Sequence, residues 1–489
     1  ALIIGAALVA GALVVLRVTD PVPAWVAIAC VSAALVGAAT VTARLNASSS
    51  IPASALTGAV ILGLAADAAI RALFGSWDLA WRHDGASIVM VGALSVVLLG
   101  LALRVAGHSA SSGPHVRNAV WIAFGPFLML QFLLLQNFAF VGSQAGVTYP
   151  VAVFIVLLAD AIALAVAYGT VTLTLSRSLV FVAALAAVGL AWVTPLSDGA
   201  WVLVATAGLQ ALLAALMALA LRRRSESPKL HSTVVAITGG SLLFLLLVLL
   251  WQLHIDQPLP FPRTTIPALA AAIVGWIGYR GAGEPVGSRI ATPVTAPAFA
   301  AVVGFALVVP VILWATGPSV DAVPHSGEEV RVVNYNVRGS VDTAGQLAPD
   351  RIVAEIASSD PHVVVIQEAA RGWPIHGTMD LVSYLKRELD MEFVYVAAAD
   401  GQFGNAILSR LPMTETSQGL LPKDGSQDRS YVMVQIETGS GPLAVVGTHL
   451  QSRSTEQVLA LLDAAGPKAP LVIAGDMNIA PTDPEVAPV

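Results

Sequence analysis

The stretch Val472-Ile473-Ala474-Gly475-Asp476-Met477-Asn478 decides the reading of this chain. An apolar run of strand character passes into Gly-Asp-x-Asn, so a buried strand ends by presenting a carboxylate and an amide. Working back toward the N-terminus, three further apolar runs end in the same manner. "PLAVVGTHL" delivers His449, "HVVVIQEA" delivers Glu368 and "RVVNYNV" delivers Asn336. Strands sharing one fold can bring such ends to a single rim. Buried carboxylates and amides need partners, and a hard cation satisfies several at once. Oxygen donors such as Glu368, Asn336 and Asp476 suit magnesium, with manganese as the second choice. No Cys/His cluster with zinc spacing exists. A divalent ion beside a histidine suits hydrolysis of a phosphodiester.

Between these runs lie an amphipathic stretch at 349–358, the helical "DLVSYLKRELD", and the strands "EFVYVAA", "GNAILSR" and "SYVMVQIE". Strands with interspersed helices imply an α+β sandwich over 330–489. Each polar strand end taken singly is ordinarily structural. Their joint order is far more specific.

That order resembles the endonuclease/exonuclease/phosphatase superfamily, which includes deoxyribonuclease-I-like enzymes. The matching stretches are "RVVNYNVRG", "DPHVVVIQEAARGW", "FGNAILSRLP", "VVGTHLQS" and "VIAGDMNIAP", covering 331–481. The resemblance implies a four-layer αββα sandwich and a magnesium-dependent phosphoesterase. It makes Asn336 and Glu368 metal ligands or their close supports. Asp476 and Asn478 would orient the attacking water and the scissile phosphate, with Asp476 also a metal ligand. His449 would donate to the phosphoryl oxygen or leaving group. Asn405 and Arg429 fall where relatives carry pocket residues and are weaker substrate-binding candidates. Arg338 and Arg371 read as solvated surface arginines. Members of the superfamily continue past this motif to a closing Asp-His pair. Here the last histidine is His449, so the expectation is a fragment, with a pseudoenzyme as the alternative.

The preceding two thirds are of another kind. The chain of 489 residues is 56% hydrophobic and 11% charged. Residues 1–327 hold 14 basic and 10 acidic side chains, against 11 and 21 in residues 328–489. A bilayer core of roughly 30 Å takes about 20 apolar residues in a helix. Eleven candidate spans follow: 2–16, 24–43, 51–70, 86–103, 119–139, 151–171, 178–194, 200–221, 233–253, 264–279 and 297–315. The expected organisation is a multi-pass helical domain at 1–316, a Gly/Pro/Ser connector at 317–329 and the sandwich at 330–489. The fused arrangement also resembles membrane proteins that remodel the lipid of GPI anchors, and their bacterial relatives.

Loop charge gives an orientation. Loops leading from even-numbered to odd-numbered spans hold Arg44, Arg104, Arg117, Arg177, Arg222, Arg223, Arg224, Lys229, Arg280 and Arg289. The opposite loops hold only Arg17, Arg71, Arg82 and Arg263. The first set is then cytoplasmic, and an odd number of spans puts the terminal domain outside a plasma membrane. Arginine outnumbers lysine 21 to 4, as in GC-rich bacterial chains. One cysteine, Cys30, excludes an intrachain disulfide.

Within the spans, Asp67 and Arg71 read as an ion pair four residues apart. Gln131, Gln136 and Gln210 read as interhelical hydrogen-bonding residues. Asp160 lies mid-span without an evident local partner, which makes it a candidate for contact with substrate or a lipid headgroup. The reading that results is a membrane-tethered phosphodiesterase acting on a lipid or other surface phosphodiester. The acidic terminal domain lacks the basic footprint of nucleic-acid binders. An extracytoplasmic nuclease, or a transporter or lipid-handling scaffold with a non-catalytic terminal domain, are the alternatives.

Overall fold

A computed structural model describes residues 2–19, 22–48, 52–106, 115–225, 230–257, 259–284, 292–317, 329–466, 470–480 and 482–484. Most of the expected connector, including 318–328, lies outside the described residues, as do Lys229 and Arg289. The chain divides into two compact units, Ala1–Gln252 with Leu259–Ile312, and Leu253–Pro258 with Leu313–Val489.

The first unit is helical. Its helices are α1 (Leu2–Val18), α2 (Ala24–Ser48), α3 (Ala53–Leu73), α4 (Gly85–Ala106), α5 (Asn118–Leu130), α6 (Phe138–Ala145), α7 (Tyr149–Thr172), α8 (Arg177–Val193), α9 (Gly199–Ala220), α10 (Leu230–Asp256), α11 (Thr265–Gly281) and α12 (Thr292–Ala315). A two-stranded ribbon joins β1 (His115–Val116) to β2 (Arg224–Ser225). Each of the eleven apolar segments falls on a helix. Among the described residues, nine helices are long and apolar enough to cross a membrane. The exceptions are α1 and α11, each of 17 residues. At 1.5 Å per residue such helices are about 25 Å long, at the lower end of what a bilayer core takes.

The segment expected as one span at 119–139 is broken. Helix α5 runs into a π-helical turn at Gln131–Leu135, and Asn137 then caps α6 by accepting a hydrogen bond from Phe140 N. Helices α5 and α10 approach closely, since a Cβ on Gly125 would lie 1.8 Å from the carbonyl oxygen of Gly240. Small residues permit such backbone proximity where lipid offers no hydrophobic drive to pack. Arg71 donates to Asp67 at 2.8 Å, as their spacing implied.

The second unit holds two four-stranded sheets. One has the order β3 (Val332–Asn336), β4 (Val363–Ala370), β6 (Phe403–Ser409), β5 (Glu392–Asp400). The other has the order β10 (Leu471–Asp476), β9 (Gly441–His449), β8 (Ser430–Thr438), β7 (Met413–Leu420). Helix α13 (Pro349–Ser358) links the parallel pair β3 and β4, and α15 (Thr455–Ala465) links the parallel pair β9 and β10. Helix α14 (Leu381–Leu389) precedes β5.

Alternate residues of both sheets build one core. Val363, Val365, Val396 and Ile407 of the first meet Val432, Val434 and Val445 of the second. The opposite face of the second sheet, with Met433, Val446 and Ile473, is covered by Val458 and Leu461 of α15. Each buried Val or Ile contributes about 1.5–3 kcal/mol of apolar burial. Each crossover makes its own two strands parallel, and hydrogen bonds from Asn334 and Asn336 of β3 to Gly475 and Asp476 of β10 bring the two pairs of carboxyl ends together. Such carboxyl ends are where ligands bind in open α/β sheets.

Candidate active site

The four expected strand ends do meet. Asn336 closes β3, and its Nδ2 donates to Glu368 Oε1 at 3.0 Å and to Asp476 Oδ2 at 2.9 Å. Its side-chain oxygen accepts from Arg338 N at 3.1 Å. That second contact fixes which way the amide points, so Asn336 acts as a clasp on the two carboxylates. Asn334, two residues earlier on the same face of β3, donates to Gly475 O at 3.1 Å and accepts from Gln367 Nε2 at 2.9 Å. Asn334 and Gln367 were not singled out from the sequence, although the i, i+2 spacing of Asn334 and Asn336 signals a shared face.

Glu368 owes its placement to an irregularity. Between Ile366 and Ala369 the pairing of β4 with β6 slips, so Gln367 and Glu368 together oppose Asn405. This bulge puts Glu368 at φ +56°, a left-handed conformation uncommon for a side chain of its type. Asn478, beyond β10, is also left-handed at φ +51°, which asparagine tolerates better than most residues. Gly475 has a different reason to be glycine. It lies opposite Thr448 in the β9–β10 register, and a Cβ there would sit 2.2 Å from the Thr448 carbonyl oxygen. The close approach sets Asp476 beside His449.

His449 is mostly buried and lies 3.9 Å from Asp476 Oδ2, too far for a hydrogen bond. Asn478 Nδ2 instead lies 3.0 Å from His449 Nε2, and the same nitrogen donates to Leu450 O at 3.0 Å. The carbonyl contact identifies that atom as the amide nitrogen. His449 Nε2 is therefore an acceptor, and the ring carries its proton on Nδ1. Burial, followed by the nearby Arg429 charge, holds His449 below the usual histidine range, against opposing pulls from Asp476 and Glu368.

Arg429 is itself pushed down by burial, with Glu368 and Asp476 restoring part of its basicity. Its Nη2 donates weakly to Gln451 Oε1 at 3.4 Å, and its Nε has no hydrogen-bond partner among the described residues. Arg429 lines a cleft with Glu368, Asn405, Phe403 and His449. A guanidinium with an unused donor in a cleft suits a phosphate oxygen. Asn405 is buried, and its Nδ2 donates to Ser430 O and Oγ, both at 3.1 Å. It straps β6 to β8 across the two sheets, leaving it a lining residue of the cleft.

Two arginines separate. Arg338 is exposed as expected. Arg371 is not a surface arginine: it is 6% exposed and forms a two-pronged pair with Asp380, Nε and Nη2 each at 3.0 Å. Its guanidinium also lies over the rings of Phe393 and Tyr395. Two residues further on, Trp373 stacks on Phe403 with centroids 4.1 Å apart. Asp160 belongs to the other unit. It is fully buried and accepts hydrogen bonds from Gln136 and Gln210, so it does have partners.

Among the described residues no group of three His, Cys, Asp or Glu could hold a metal. Glu368 and Asp476 nevertheless converge on one amide, and a hard ion that keeps most of its waters needs only one or two carboxylates. The donor set fits a hard divalent cation. Strand ends thus bring paired carboxylates, an amide-oriented histidine and an arginine to one rim.

Residues 333–488 match the family model described as Endonuclease/Exonuclease/phosphatase family, and this region of the chain is a domain of that family. Similar solved structures include an endonuclease/exonuclease/phosphatase from Beutenbergia cavernae DSM 12333, with 27% identity over 32% of this chain and 50% of that one, TM-score 0.27. A humanized D. rerio TDP2 carrying 14 mutations shows 25% identity over 32% of this chain and 65% of that one, TM-score 0.27. D. rerio TDP2 complexed with single strand DNA product shows 24% identity over 33% and 65%, TM-score 0.27. The chain thus spans between 50% and 65% of the length of these solved chains. Among curated proteins none matches the chain.

Proposed function

We propose that this protein is a membrane-tethered, magnesium-dependent phosphodiesterase acting on a lipid-headgroup phosphodiester at the outer membrane surface. The observation that carries the reading is the Asn336 clasp, which gathers Glu368 and Asp476 within hydrogen-bonding reach of one amide nitrogen. Nine membrane-length helices among the described residues motivate the surface substrate, and the loop-charge bias motivates the outer side.

Glu368 and Asp476 are the residues that would hold the ion, which when bound supplies polarisation of the phosphoryl oxygen and a water of lowered pKa. Asn336 keeps the two carboxylates together and offsets their repulsion. Arg429 binds a non-bridging phosphate oxygen through its unused Nε. Asn478 holds His449 in the tautomer whose Nδ1–H donates as charge develops on the phosphate or leaving group.

The test uses the full chain in lipid with magnesium, offered labelled phospholipid, sphingolipid and DNA, beside His449→Ala and Glu368→Ala. Headgroup release lost in both variants supports the proposal. Cleavage of DNA alone would favour a nuclease, and turnover of no phosphodiester would leave a lipid-handling scaffold.

A further inference from the structure

The helical unit contains a polar ring that the phosphoesterase chemistry does not use. Asp160, at the middle of α7, is 0% exposed. Its Oδ1 accepts from Gln136 Nε2 at 2.7 Å and from Gln210 Nε2 of α9 at 2.6 Å. Gln131 Nε2 donates to Gln210 Oε1 at 2.8 Å, and Gln136 Nε2 lies 3.4 Å from Gln131 Oε1. Three amides and one carboxyl close a loop.

The π-helical turn makes the loop possible. Gln131 and Gln136 are five residues apart and are bonded backbone to backbone, Gln136 N to Gln131 O, at 2.7 Å. In an α-helix residues at i and i+5 diverge, whereas a π turn brings them onto one side. Two glutamines from consecutive turns therefore join one cluster, Gln136 bonding the carboxyl directly and Gln131 reaching it through Gln210.

Among the described residues two oxygens in this loop have no hydrogen-bond partner: Asp160 Oδ2 and Gln136 Oε1. Both are acceptors when the carboxyl is ionised. They also belong to two side chains already joined through their other atoms. A carboxylic acid and a primary amide joined by N–H···O=C close a second bond when the acid O–H meets the amide oxygen. One proton on Oδ2 supplies that missing donor, removes a bare charge from an apolar interior and satisfies both oxygens.

We propose that Asp160 is a proton-binding site inside the membrane unit, held as the carboxylic acid in a two-bond pair with Gln136. The binding step adds one proton to the carboxylate and breaks no bond. Releasing it would leave a charge facing an acceptor between α7, α9 and the π turn, so ionisation is coupled to separation of these elements. The helical unit is then proton-responsive and does more than anchor.

Among the described residues no other ionisable side chain is hydrogen-bonded to this carboxyl. Helices α6 and α9 carry no charged residue, and in α3 Arg71 pairs with Asp67 and donates to the Gln136 carbonyl oxygen at 3.1 Å. Helix α7 itself adds Tyr149, bonded to Ala72 O, and Tyr168, while Arg222 binds the carbonyls of Thr170 and Leu173 at the far end of α7.

The test is infrared difference spectroscopy on the full chain in lipid bilayers, with carbon-13 aspartate labelling. The expected result is an un-ionised carboxyl band at neutral pH that shifts with the label, disappears in Asp160→Asn and moves in Gln136→Leu. Should a variant fold poorly, the wild-type protein is titrated alone: the band disappears as pH rises, and sodium or potassium at fixed pH leaves it in place. Absence of the band, its persistence in Asp160→Asn, or its loss on adding either cation would overturn the proposal.

Discussion

Asn478 holds His449 by its Nε2, at 3.0 Å, while the same amide nitrogen binds Leu450 O. One side chain therefore selects the histidine tautomer. Asn478→Asp preserves shape but replaces the donor with an acceptor, drawing the imidazole proton from Nδ1 to Nε2. Turnover should fall by about 10²- to 10⁴-fold, the usual contribution of a positioned proton donor. Unfolding of the terminal unit should change little. Equal turnover in Asn478→Asp and the parent would remove the tautomer from the mechanism.

Metal removal is the second expectation. Chelation of divalent ions should abolish phosphodiester turnover, and added magnesium should restore it. Glu368→Gln should raise the magnesium needed for half-maximal activity by roughly tenfold or more, since the ion loses one of two carboxylates. Retained activity in the chelated protein would contradict the ligand assignment.

The Arg371–Asp380 pair makes a stability prediction. Asp380 also accepts from Ser383 N at 3.1 Å, so it caps α14 while it pairs with Arg371. Arg371→Ala leaves a buried carboxylate without its partner and should destabilise the terminal unit by about 3–5 kcal/mol. The double change Arg371→Met, Asp380→Leu should cost less than the single one. Hydrogen exchange of 369–390 in the full chain reads both.

His376 makes a pH prediction. It is buried against Trp373 and Phe403, its Nδ1 has no hydrogen-bond partner among the described residues, and burial pushes its pKa down to about 4. With a folded value below the unfolded 6.5, the unfolded chain binds the extra proton first. Stability is thus full above the unfolded value and is lost as pH falls toward the folded one. The difference amounts to about 3 kcal/mol. His376→Leu should flatten this slope in urea unfolding between about pH 7 and pH 4. An unchanged slope would place the acid sensitivity elsewhere.

Gly475→Ala should damage the site without touching its chemistry-bearing groups. The added methyl meets backbone, the Thr448 carbonyl, at 2.2 Å, so the strands must part. Turnover should drop, while His449→Ala at the same sheet edge leaves the strand spacing unaltered. Proton exchange at the β9–β10 ladder distinguishes the two.

Much of this was legible in the sequence, for identifiable reasons. Apolar runs ending in polar residues marked β3, β4, β9 and β10, because a strand whose apolar residues pack inward leaves its chemistry at the end. Strand β7 was missed: "MTETSQGL" has no apolar alternation, since it pairs only with β8 at the sheet edge, where polar residues are tolerated. Helix α15 was also missed, though Ser454 caps it by accepting from Gln457 N. Arg371 was misjudged because its partner, Asp380, lies across a loop that no periodicity reveals. Asp160 looked solitary because its glutamines come from other segments, and one reaches it only through a π turn. Asn336 and Glu368 were found, but the clasp between them depends on a bulge invisible in composition.

That bulge has a consequence for sequence change in this region. Strand β4 carries one residue more than its partner between Ile366 and Ala369, opposite Asn405. Deleting a single residue there would let the ladder run unbroken and relieve a left-handed backbone, so the shortened chain should fold at least as well as the parent. The same deletion removes one of the two residues, Gln367 and Glu368, that share Asn405, and with it the left-handed backbone that holds the carboxylate toward the Asn336 clasp. At this position a loss of one codon improves the sheet and silences the site, which makes the length of β4, as much as its composition, the quantity that selection on activity must hold constant.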